Sequence, residues 1–186
     1  MDNLYLALVH SPIKNKVGEL VTTSVTNMDI HDISRSCKTF GVRKYFIVTP
    51  IEKQKGLVDR ILGHWSTEKA SDYNPDRQDA LSDTYTVPSL EAAIEEITII
   101  EKKKPVVVGT GANYTNYIGG TEALKDKLVS LDNPPCLLIF GTGWGLHSSL
   151  DNLIDYKIEP IFGINSSYNH LSVRSAVAIY LDRINT

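Results

Sequence analysis

The chain has 186 residues, 42% apolar and 22% charged, with a formal net charge of -3. That is enough for one well-buried core and short for two, so a single domain over 1–186 is expected, and no run of about 18 apolar residues exists to span a membrane. Residues 1–80 carry 11 Lys/Arg against 10 Asp/Glu and residues 81–186 carry 8 against 12, so any footprint for a polyanion falls in the first half.

The opening MDNLYLALVH begins with an acid and lacks the basic region and small-residue cleavage site of a secretion signal, so a cytoplasmic location is expected. Within it, Tyr5 to His10 is an apolar run fit for a buried strand. The stretch after it, SPIKNKVGELVTTSVTN, reads as a polar loop of unusual length, and such loops are commonly functional or mobile. From Asp29 a helix is expected, with Ile30, Ile33, Cys37 and Phe40 at helical spacing, Asp29 as N-cap and Gly41 as the stop. Its other face carries His31, Asp32, Arg35 and Lys38. Arg35 stands four residues beyond His31 and three beyond Asp32, so the three head groups can share one surface. From spacing alone the ordinary reading is a solvated helix face.

YFIVTP (45–50) reads as a second buried strand closed by Pro50, and Gln54 to Trp65 as an amphipathic helix with Leu57, Val58, Ile61, Leu62 and Trp65 inward. From Ser66 to Ser82 the sequence is polar, with a turn signal at Tyr73 to Asp76, and no core contribution is expected there. Thr84 to Val87 reads as a short strand. Ser89 then caps a helix through Glu101 whose buried stripe is Leu90, Ala93, Ile94, Ile97 and Ile100. Lys102 to Lys104 suit a helix C-terminus.

PVVVGTGAN (105–113) is a β-branched strand ending in a glycine turn, followed by a helix from Thr121 to Leu131. Leu137 to Phe140 should be a central strand running into Gly141, Gly143 and Gly145. Tyr156 to Ile161 reads as a last strand ending near Gly163, and Leu171 to Ile184 as a helix packed deep in the fold. Strand and helix alternate about six times, which argues an α/β fold with a mostly parallel sheet and helices on both faces. Glycine turns at the carboxyl ends of such strands are where small ligands bind.

The glycine loops leave the chemistry open. GTGWG is G-x-G-x-G and not the dinucleotide fingerprint, although Glu159 lies at the distance of a ribose-binding acid, so an NAD-type oxidoreductase stays an alternative. There is no phosphate-binding G-x-x-x-x-G-K-[ST] loop and no G-x-S-x-G elbow. The histidines at 10, 31, 64, 147 and 170 lack H-x-x-x-H spacing, so no metal is expected. Cys37 and Cys136 sit among apolar residues and read as buried thiols.

Three segments together, FGTGWGL (140–146), IEPIFG (158–163) and YNHLSVRSAVAI (168–179), resemble the C-terminal half of the SPOUT class, the α/β-knot RNA methyltransferases. With LALVH and VTNMDIHDISRSCKTFGV (25–42), the resemblance covers essentially the whole chain. It points to a bacterial subgroup of SAM-dependent RNA methyltransferases grouped with the tRNA (guanine-N1) enzymes. It implies a C-terminal deep trefoil knot, a homodimer, an RNA substrate (tRNA or rRNA), and S-adenosylmethionine as cofactor with S-adenosylhomocysteine as product.

By the same resemblance, the cofactor would contact Thr110, Gly111 and Ala112, then Phe140, Gly141, Thr142, Gly143, Gly145 and Leu146, and then Ile161, Phe162 and Gly163. Tyr168, Asn169, Leu171, Ser172 and Ser175 would close the pocket. Many members carry a glutamate in the first glycine loop where this chain has Thr142-Gly143-Trp144, so no substrate role transfers from that acid. Trp144 could stack on a base, cap the pocket or simply pack. Methyl transfer from a sulfonium needs chiefly in-line alignment and removal of the acceptor's proton. The candidates are Asp32 or His31 as base, with Arg35 and Arg174 orienting a phosphate or the acceptor, whether base or ribose. A non-catalytic module that binds cofactor or RNA is the remaining alternative.

Overall fold

Every residue of the first strand, β1 (Leu4–Val9), is buried, as happens when a strand is covered on both faces. The structure is a computed structural model that describes residues 3–164 and 168–186. In it β1 pairs in parallel with β4 (Lys44–Val48) on one side and with β7 (Cys136–Gly141) on the other. Beyond these lie β5 (Thr84–Val87), β6 (Val106–Gly109) and the short edge strand β8 (Tyr156–Lys157), giving the order β5-β4-β1-β7-β6-β8. All pairings within this six-stranded sheet are parallel.

Side chains alternate between two cores, as the two-residue period of a strand requires. Leu4, Leu6, Leu8, Tyr45, Ile47, Leu138 and Phe140 face one side. They meet Ile30, Ile33 and Cys37 of α1 (Asn27–Thr39) and Val177, Tyr180, Leu181 and Ile184 of α7 (Val173–Asn185). Tyr5, Ala7, Val9, Phe46, Val48, Leu137 and Ile139 face the other, against Leu90, Ala93, Ile94 and Ile97 of α5 (Leu90–Glu101). Both cysteines are buried, and burial pushes the Cys136 thiol up to about 12. Among the described residues no helix is long and apolar enough to cross a membrane.

Several local expectations are corrected. The long loop after β1 contains a small antiparallel hairpin, β2 (Ile13–Lys14) and β3 (Leu20–Val21). Asp29 is not the cap of α1: Thr26 is, its hydroxyl accepting from the Asp29 amide, while Asp29 occupies the third position inside the helix. The second helix, α2 (Glu52–Trp65), has only Val58 fully buried, and Leu57 is 43% exposed. Residues 66–82 form two short helices, α3 (Glu68–Tyr73) and α4 (Pro75–Leu81), with Ala70, Ala80 and Leu81 buried. Asn74 ends the first and caps the second, so the turn signal was right and its flanks were misread. Ile100 is exposed, and the strand expected over 156–161 is only two residues long. The last helix begins at Val173 and buries one face only, since a helix at the surface of a layered fold needs a single apolar stripe.

The strand order sets the location of the site. From β1 the chain builds outward through β4 to β5, then crosses to β6, and β7 returns between β1 and β6. Strand order thus reverses beside β1, and a crevice opens at the carboxyl ends there. The helix α6 (Thr121–Ser130), which connects β6 to β7, packs against α7.

Candidate functional site

A crevice of about 690 Å³ opens at this point, within the usual range for small-molecule sites. Four chain segments form it: the strap into α1, the turn after β6, the glycine turn after β7, and the approach to α7 with its first turns. Its wall is mixed, with Phe140, Ile161, Leu171, Val173 and Ala176 as apolar surface and backbone or hydroxyl groups between them.

The turn after β7 is shaped by two glycines. A Cβ on Gly141 would stand 2.8 Å from the Leu146 backbone nitrogen, too close for any side chain. Gly143 has φ +55, the left-handed region that glycine enters freely. The turn after β6 is held by Thr110, whose hydroxyl donates to the Ile139 carbonyl at 3.0 Å. Asn169 Nδ2 donates to the Ala112 carbonyl at 2.8 Å, which binds the approach to α7 onto that turn.

Charge enters through α1 and α7. Arg174 Nη1 lies 3.0 Å from Asp29 Oδ1, and its Nε lies 3.3 Å from Asp32 Oδ2. Asp29 is buried and also accepts from Thr26 Oγ1 at 2.5 Å, while its position in the first turn of α1 suits a negative charge. Arg174 and Asp29 both line the crevice, and Asp32 touches it through Arg174.

Of the residues expected to hold a cofactor, Thr110, Gly111, Ala112, Phe140, Gly141, Thr142, Gly143, Gly145, Ile161, Asn169 and Leu171 line the crevice. Six lie outside the lining. Leu146 is buried beneath the turn in the second core. Ser172 caps α7 and pairs with Ser175 at 2.9 Å, so both hydroxyls serve the helix start. Phe162 and Gly163 are exposed, and Tyr168 stacks edge-on against His170.

The candidates on α1 separate. Arg174 is in the lining; Arg35 is exposed and outside it. His31 faces away, edge-on to Trp65 at 6.0 Å between ring centroids. Burial and then the Arg77 charge lower its pKa, so it stays neutral near pH 7. Glu159 is not in the lining either, which removes the ribose contact that a dinucleotide reading needs. Trp144 does line the crevice, 55% exposed at its mouth. Among the described residues, no three or more His, Cys, Asp or Glu side chains come together as a metal site.

The sequence reading missed the strap: Thr23, Ser24, Thr26 and Asp29 all line the crevice. The unusual length of the loop was one signal, and the Thr26-x-x-Asp29 spacing of a reciprocal cap was another.

A crevice of this size, with an apolar flank for a planar ring, glycine backbone at its floor and a charge pair at its rim, fits an adenosine-bearing cofactor. Comparison with known proteins agrees. A family model described as SAM-dependent RNA methyltransferase matches residues 3–186. An uncharacterised protein of Aquifex aeolicus (strain VF5) is 38% identical over 184 residues, covering 98% of this chain and 88% of that one. A protein named tRNA (guanine-N(1)-)-methyltransferase from Oleidesulfovibrio alaskensis is 42% identical over 185 residues, covering 98% of this chain and 42% of its own length. The chain thus spans less than half of that relative. Among solved structures, a probable methyltransferase from Bordetella pertussis superposes with TM-score 0.64 at 12% identity, covering 98% of this chain and 94% of that one. The SpoU methyltransferase AviRb from Streptomyces viridochromogenes, solved with AdoMet, gives TM-score 0.55 at 17% identity, covering 99% and 57%. Identities this low show a shared fold and nothing finer.

Proposed function

The chain belongs to the SAM-dependent RNA methyltransferase family, and from that premise we propose that it methylates an acceptor in RNA, with tRNA the first class to test. The observation that supports this most directly is the convergence of residues 110–113, 140–145, 161, 169–171, 173, 174 and 176 on one crevice that also carries the Arg174–Asp29 pair. S-adenosylmethionine, when bound, supplies an electrophilic methyl group on a sulfonium.

The chain's own residues bind, orient and exclude water. Ile161, Leu171 and Val173 offer the apolar wall on which an adenine ring packs, and the turns at Gly111, Gly141 and Gly143, where a Cβ would meet neighbouring protein atoms, bring backbone groups to its edge. Arg174, held from two sides by Asp29 and Asp32, presents a fixed cation to a phosphate or acceptor group of the RNA. Both oxygens of Asp29 are engaged, so the proton-accepting role goes to Asp32, which is half exposed and shares only one contact with Arg174. His31, turned toward Trp65, has no part in it. A homodimer and a trefoil knot near α7 belong to the same proposal.

Titration calorimetry with S-adenosylmethionine, followed by incubation of the protein with labelled cofactor and total RNA, tests the proposal. Label should enter one nucleoside that mass analysis identifies. Cofactor binding with no incorporation into any RNA leaves a binding module and refutes the enzyme.

A further inference from the structure

His10 is fully buried just after β1, and its two ring nitrogens have different surroundings. Nδ1 lies 3.0 Å from Thr23 Oγ1, whereas Nε2 has no hydrogen-bond partner among the described residues. Thr23 Oγ1 in turn lies 2.5 Å from Thr142 Oγ1. Each hydroxyl can also reach one carbonyl: Thr142 that of Val9 at 3.2 Å, and Thr23 that of His10 at 3.4 Å.

Counting protons, together with the burial of Nε2, fixes the arrangement. Each hydroxyl has a single proton to donate. If Thr23 donates to Thr142, then Thr142 donates to the Val9 carbonyl; if Thr142 donates to Thr23, then Thr23 donates either to the His10 carbonyl or to the ring Nδ1. Donation from Thr23 to Nδ1 would put the imidazole proton on Nε2 and bury an N–H that has no partner among the described residues, whereas a proton on Nδ1 meets the Thr23 hydroxyl and leaves only a lone pair unpaired, so Nδ1 is the donor. The neutral imidazole therefore carries its proton on Nδ1 and leaves the Nε2 lone pair bare. With one proton between the two hydroxyls and the other on the Val9 or His10 carbonyl, neither threonine has a proton to offer the crevice, which both side chains line.

We propose that Thr23 and Thr142, fixed by the Nδ1–H of His10, form an acceptor-only subsite in the crevice wall that takes an N–H or ammonium donor of the bound ligand. A carbonyl or carboxylate brought to the same place would face lone pairs with no proton between. His10 is the positioning residue and does not touch the ligand. The subsite rests on the methyltransferase reading, under which two donors are available: the α-ammonium of the cofactor and an N–H of the acceptor nucleotide.

Calorimetry and kinetics separate them. S-adenosylhomocysteine is compared with its analogue bearing hydrogen in place of the amine, and 5′-methylthioadenosine, which lacks the amino-acid end, is the control. Wild type should prefer the aminated ligand by about tenfold or more, the worth of a hydrogen bond to a charged group. Thr23→Val, which keeps shape and removes the acceptor, should bring that preference close to one with 5′-methylthioadenosine unchanged. His10→Leu should behave in the same way, and His10→Asn, whose amide Nδ2–H stands where Nδ1–H stood, should restore the preference. If the preference stays intact while the KM for RNA rises about tenfold in Thr23→Val and His10→Leu, the donor is the acceptor nucleotide. Thr142→Ala serves as the second variant should Thr23→Val melt early. Preference and KM both unchanged in these variants overturn the subsite. Failure of wild type to bind any of the three ligands overturns the methyltransferase reading beneath it.

Discussion

Arg174 and Asp29, 145 positions apart in sequence, are joined at 3.0 Å across the crevice, so the first turns of α7 and α1 are fastened to each other at the site itself. Asp29 is 5% exposed, and without Arg174 its charge keeps only the Thr26 hydroxyl and the helix start. Arg174→Ala should therefore cost about 1–3 kcal/mol, read as a melting temperature lower by several degrees, because a buried charged group loses its partner. Methyl transfer should fall well over tenfold. Arg174→Lys should recover part of the stability and little of the activity, since one ammonium cannot meet both carboxylates as the guanidinium does.

Gly141 tests the shape of the turn. Because an added Cβ would meet backbone at 2.8 Å and not a movable side-chain end, Gly141→Ala must displace the turn after β7. Cofactor affinity should drop at least tenfold by calorimetry. Gly56→Ala, in α2 with open space around the added carbon, should leave it unchanged and raise the melting point slightly.

Stability should depend on pH through His10. Burial lowers its pKa from the ordinary 6.5 to about 4, with the charge of Asp29 opposing the shift in part. Between those values the unfolded chain binds the proton and the folded chain does not, so stability falls as pH drops from about 6.5 toward 4, by up to about 3 kcal/mol. Denaturant unfolding at a series of pH values checks this. In His10→Asn the loss over that window should be smaller by a comparable amount.

Arg35 and His31 should separate from the crevice residues. Arg35 is exposed on α1 and outside the lining, so Arg35→Ala should leave S-adenosylhomocysteine affinity within about twofold and act, if it contacts RNA, through KM alone. His31→Ala should remove a contact with Trp65 and destabilise modestly, with kcat unchanged in the folded protein. Cofactor binding lost in Arg35→Ala would contradict the placement of Arg35 outside the crevice.

The α/β layering was legible because it depends on period and composition: the all-buried run Leu4–Val9 and the glycine turns at strand ends declare themselves locally. Most of the crevice's glycine loops were legible for the same reason. The strap was not, because its hydroxyls gain meaning only when β1 and β7 pair and bring Thr23 within 2.5 Å of Thr142, 119 positions away. Helical spacing put His31, Asp32 and Arg35 on one surface, but only tertiary packing could tell that His31 turns toward Trp65 while Asp32 turns toward Arg174. The short helices over 68–81 escaped notice because their burial rests on Ala70, Ala80 and Leu81, too few apolar residues to mark a period.

The most direct measurement is calorimetric titration of the purified chain with S-adenosylmethionine, with the Gly141→Ala protein alongside. The account predicts one site per chain with a defined dissociation constant in the wild type and at least a tenfold weaker one in the variant. No heat of binding in the wild type, or equal affinity in both proteins, would contradict it.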